Sequence, residues 1–132
     1  DIDFYKELGM DAENEWAEEI EQTVFRGSLV MQEVVFYHKS SKTLILTDLI
    51  ENFNPQSLNG WQRLATKMAG ILSPNGKTPI DWRISMMFGK KEAKDSFAII
   101  DSWQPENIII AHGECIIGGG HDFLRKSFSW LL

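Results

Sequence analysis

The chain is 132 residues long, about one ordinary domain, and its 43% hydrophobic and 24% charged residues are globular values that exclude general disorder. Nineteen acidic residues against 13 basic ones leave a formal net charge of −6, a surface that repels polyanions unless it carries a local basic patch, so neither a nucleic-acid partner nor a membrane is expected. No apolar run reaches the length of a membrane span, and the single cysteine, Cys115, excludes an intrachain disulfide and points to a reducing, cytoplasmic setting.

The chain starts at Asp1 rather than Met and is expected to be processed or a piece of something longer. Residues 1–18 are acidic and weakly patterned. Trp16, Ala17 and Ile20 share one face of a short helix capped by Asp11 or Asn14. Thr23-Val24-Phe25 then reads as a strand closed by Arg26-Gly27-Ser28. Two β-rich runs, Glu33 to His38 and Thr43 to Thr47, flank the polar tetrapeptide Lys39-Ser40-Ser41-Lys42 and predict a hairpin. The second run is apolar enough to be covered on both faces, as a central strand is.

Asp48 ends that strand, and Glu51 to Ser57 reads as a loop around Asn54-Pro55. A helix fits Leu58 to Ile71, with Trp61, Leu64, Ala65, Met68 and Leu72 as its expected buried stripe, stopped by Ser73-Pro74-Asn75-Gly76. Thr78 to Trp82 reads as irregular, and Ile84 to Phe88 fits either helix or strand. A second helix covers Lys90 to Trp103 and buries Ala93, Phe97, Ile100 and Trp103; its lysines Lys90, Lys91 and Lys94 read as a solvated face. Asn107 to Ala111 is a short apolar strand ended by His112-Gly113. Gly118-Gly119-Gly120 is a hinge before a last helix, capped by Asp122, that buries Leu124, Phe128 and Leu131. This succession predicts a single α/β unit over residues 1–132, with helices layered on a sheet.

Asp48 and His112 are the main chemical pair. Each follows an apolar strand, where open α/β sheets place ligands. If those strands are parallel neighbours, a carboxylate and an imidazole leave one sheet edge together, and both are good ligands for zinc, iron or manganese. The competing reading makes Asp48 a turn cap and His112 a local hydrogen-bonding group. His38 reads as a turn histidine, and His121 as a neighbour of the Asp122 cap. Cys115, three residues after His112, is conceivable as a thiol nucleophile but reads better as a lone surface cysteine. The five tryptophans fall mostly at core spacing. The sequence contains no CxxC, no Walker-type loop and no GxSxG elbow.

Three stretches carry a resemblance: Phe25-Arg26-Gly27, Glu33 through Leu49, and Ile108-Ile109-Ile110-Ala111-His112-Gly113-Glu114. The chain resembles the bacterial domain-of-unknown-function family 4336, a divergent branch of the metallo-β-lactamase fold, over nearly its whole length. The resemblance implies the C-terminal half of an αββα sandwich, with Asp48 matching the metal-bridging Asp and His112 the final metal-binding His. It further implies a metal-dependent hydrolase with an incomplete metal site, acting on an unidentified small molecule. The alternative is a degenerate, non-catalytic fold that serves as a binding or assembly module. The pattern departs from the superfamily in lacking HxHxDH, in reading Ser28-Leu29-Val30-Met31 where a metal-binding His is usual, and in placing Thr47 before the Asp where Gly is usual. A half sandwich exposes an apolar sheet face, so the expected partner is a second copy or a missing N-terminal half.

Overall fold

The computed structural model describes residues 6–132. Seven strands and four α-helices follow in the order β1 (Ile20–Phe25), β2 (Glu33–His38), β3 (Thr43–Ile45), β4 (Glu51–Asn52), α1 (Gly60–Ala69), α2 (Ile80–Ser85), α3 (Lys90–Ser102), β5 (Asn107–Ile109), β6 (His112–Gly113), β7 (Ile116–Ile117) and α4 (Gly120–Ser127). Five strands make a mixed sheet in the order β1-β2-β3-β5-β7, and β4 and β6 form a separate parallel pair. The expected α/β layering is therefore the observed one. Among the described residues no helix is long and apolar enough to cross a membrane.

The hairpin forms as its alternation dictates, with Phe36 opposite Ile45 and His38 opposite Thr43. β3 is the central strand and runs parallel to β5, pairing Leu44 with Ile108 and Ile45 with Ile109. Strand side chains alternate between faces, so Val35, Leu44 and Ile108 share one side. That side receives α3 and α4, and with Phe25, Phe97, Ile100, Leu124, Phe128 and Leu131 it makes the core. Phe128 sits at its centre, with ring centroids 5.4 Å from Phe25 and 5.1 Å from Phe97. Ser96 of α3 ties the layers by accepting the Arg26 N–H at 3.0 Å.

The opposite sheet face carries Val34, Phe36, Ile45, Ile109 and Ile117, none of which joins the core. Its β1 side is overlain near Gly9, whose carbonyl accepts from the Gln22 amide at 2.8 Å. Among the described residues nothing covers the β5–β7 side, where Ile109 is 44% and Ile117 82% exposed.

Several expectations are corrected. Residues 14–19 form turns rather than a helix, and Ile20 joins the sheet opposite His38; residues 1–5 of the acidic segment lie outside the described residues. The first helix spans Gly60–Ala69, fixed by a reciprocal Asn59–Gln62 capping box and ended by Gly70 in the left-handed region, yet none of its residues is buried. Its predicted stripe of Trp61, Leu64 and Met68 faces outward instead. Between 80 and 88 the chain is a short helix, Ile80–Ser85, followed by turns. Gly119, not Asp122, caps α4, with Asp122 in its first turn. The loop at 51–57 contains β4 and a 3-10 turn at Pro55–Ser57, and β7 was not anticipated.

Candidate functional site at the sheet edge

The turn after β3 is built by a buried carboxylate. Glu33 opens β2 on the same face as Val35 and Tyr37, and its side chain reaches the exit of β3. There its two oxygens accept the backbone N–H groups of Thr47 at 2.5 Å, Asp48 at 2.8 Å and Leu49 at 2.9 Å. Burial pushes the Glu33 carboxyl above the ordinary glutamate range, and the three amides pull it back. The turn sends Leu49 and Ile50 into the core and leaves Thr47 and Asp48 outside.

His112 is set by the small parallel pair. In register, Glu51 lies opposite His112 and Asn52 opposite Gly113. Asn52 is buried and ties three segments, donating to the Glu114 carbonyl at 2.8 Å and accepting from the Gly76 amide at 3.2 Å. Gly113 has φ +118°, and a Cβ there would stand 2.1 Å from the Asn52 carbonyl oxygen, so the crossing admits only glycine.

These two devices bring Asp48 and His112 together, with Nε2 of His112 2.9 Å from Oδ1 of Asp48. The side chains are 56% and 49% exposed respectively. Beside them opens a cleft of about 360 Å³ lined by Met31, Asp48, Glu51, Ala69, Ile71, Pro79, Ile80, Asp81 and Trp82. Glu51 is raised above the ordinary glutamate range, first by burial and further by Asp81 and Asp48, while His112 opposes the shift. The arrangement can hold a proton between imidazole and carboxylate, or offer both groups to a cation.

Nitrogen and oxygen ligands sit about 2.0–2.2 Å from a tetrahedral ion, hence about 3.4 Å apart. A small opening of the Asp48–His112 pair would admit one. An open catalytic site needs about three protein ligands plus water, and no group of three or more His, Cys, Asp or Glu suited to a metal exists among the described residues. The described residues alone therefore do not make a metal centre.

The other candidates stand apart. His38 bonds Ser41 Oγ through Nδ1 at 2.7 Å within the hairpin turn. His121 pairs with Asp101 at 3.0 Å, a carboxylate it shares with Arg125. Cys115 is exposed, its sulfur 4.0 Å from the Ile110 carbonyl, and His112 is engaged by Asp48 instead. Of the tryptophans, Trp82 is buried and Trp103 stacks on Tyr37, whereas Trp61 is exposed. Glu33, Glu51 and Asp81 also belong to the site, and no motif in the sequence marks them. The alternation Glu33, Val35, Tyr37 carried a signal for the first, since it puts a carboxylate on the buried face. Family models and curated proteins yield no match to this chain.

Proposed function

We propose that the chain is a binding and assembly module on a metallo-β-lactamase-like half-fold, working in the cytoplasm, whose open sheet face packs on that of a second copy. The observation that carries this reading is the in-register apolar row Phe36, Ile45 and Ile109, which lies outside the core on the face opposite α3 and α4. Two sheets packed face to face bury such rows against each other about 10 Å apart. Isotope-filtered NMR on a mixed labelled and unlabelled sample tests it. Intermolecular contacts to the methyl groups of Ile45 and Ile109 are expected, and contacts confined to other surfaces would refute it.

A second reading is favoured by the closeness of Asp48 and His112 at the edge of parallel β3 and β5. In it the chain is part of a metal-dependent hydrolase, these two residues supplying two ligands for zinc, iron or manganese and a partner layer the rest. Elemental analysis of protein purified without chelator separates the readings. Near-stoichiometric metal that is lost in Asp48→Ala and His112→Ala supports the hydrolase, and metal-free protein supports the module.

A further inference from the structure

The charges of this acidic chain are segregated. Residues 60–94 hold seven of the 13 basic residues and two of the 19 acidic ones, a formal +5 against −11 for the rest. The same stretch, comprising α1, α2 and the start of α3, carries seven of the chain's exposed large hydrophobic residues: Trp61, Leu64 and Met68 on α1, then Ile80, Ile84, Met87 and Phe88. Leu29 and Val30, also exposed, adjoin them through the Leu29 N–H bond to the Ser85 carbonyl.

Ile80 lines the cleft beside Asp48, whereas Trp61, Met68, Met87 and Phe88 stand out from the surface. No α1 residue is buried, and Phe88 is 87% exposed at the tip of the turn between α2 and α3. Cations lie near both apolar groups in the chain: Arg63 and Lys67 on α1, and Lys90 and Lys91 two and three residues after Phe88. Large side chains projecting among cations suit a fluid anionic boundary, where rings and methionines enter the acyl region and lysines stay with the headgroups. A protein partner would need complementary hollows for each projection. A cytoplasmic membrane leaflet supplies the required negative potential.

We infer that the stretch 60–94 docks on an anionic lipid surface through the turn after α2, with Met87-Phe88 as the inserting groups and the lysines that follow them at the headgroups. This inference does not depend on the sheet-face assembly, because it uses a different surface.

The test is sedimentation of the full chain with phosphatidylcholine vesicles, with and without phosphatidylglycerol. Binding to the anionic vesicles alone is expected, weakening as salt rises. Met87→Glu with Phe88→Glu should abolish it, and Lys90→Glu with Lys91→Glu should weaken it by roughly tenfold or more. All four positions are exposed, and unchanged thermal unfolding of each variant keeps the comparison interpretable. Equal sedimentation with neutral and anionic vesicles, or insensitivity to these substitutions, would overturn the inference. Binding to polyglutamate but to no vesicle would also overturn it, in favour of an acidic protein partner.

Discussion

The carboxylate of Glu33 accepts the backbone N–H of Asp48 at 2.8 Å, so a residue at the start of one strand fixes the turn that presents the candidate ligand. The same carboxylate holds the amides of Thr47 and Leu49, and the Leu49 amide bond is buried. A buried donor left without its acceptor costs about 1–3 kcal/mol. Glu33→Ala should lower stability by at least that amount in urea unfolding. An unchanged midpoint would mean that the turn holds without its acceptor.

Glu33 also predicts a pH dependence. Its carboxyl is raised in the folded state, chiefly by burial, so the folded protein binds that proton more tightly than the unfolded chain does. Stability contributed in this way is present in acid and falls as pH rises from the ordinary glutamate value through the raised one. Glu33→Gln should remove that part of the decline. Glu51, raised with the same sign, leaves a residual slope in the variant. Parallel stability profiles for wild type and variant over that window would contradict the assignment.

Gly113→Ala should be among the most damaging single-methyl additions at the site. The new Cβ would overlap the Asn52 carbonyl, and φ +118° is strained for any L side chain. A loss of about 3 kcal/mol is expected from overpacking and backbone strain together. The His112 ring signals in NMR should move with it, because β6 carries that residue. A stable variant with native His112 signals would show that the β4–β6 crossing does not set the imidazole.

Phe128→Ala probes the layer beneath the sheet. Phe128 is fully buried between Phe25 and Phe97, and removing such a ring costs about 3–5 kcal/mol. By contrast Asp48→Asn should change stability by less than about 1 kcal/mol, since exposed ion pairs contribute little. Calorimetry on the two variants checks both. A large loss at Asp48 would make that residue structural.

Much of the fold was legible because its signals are periodic. Ala93, Phe97 and Ile100 recur at helical spacing and are buried where α3 meets the sheet, and the β2–β3 hairpin follows its alternation. The same periodicity misled at Trp61, Leu64 and Met68, since an apolar stripe says that a helix is amphipathic and not that anything covers it. The Asp48–His112 meeting was legible because both follow apolar strands, and β3 and β5 did prove to be parallel neighbours. What surrounds the pair was not. Glu33, Glu51 and Asp81 reach the site from separate segments, and local patterning carries no information on such long-range meetings.

Light scattering coupled to size-exclusion chromatography at micromolar concentration reads whether the open sheet face is an interface. Wild-type protein should elute with the mass of a dimer, and Ile109→Asp, on the half-exposed row beside Ile45, with that of a folded monomer. Monomeric wild type, or a dimer indifferent to a charge at Ile109, would contradict that interface.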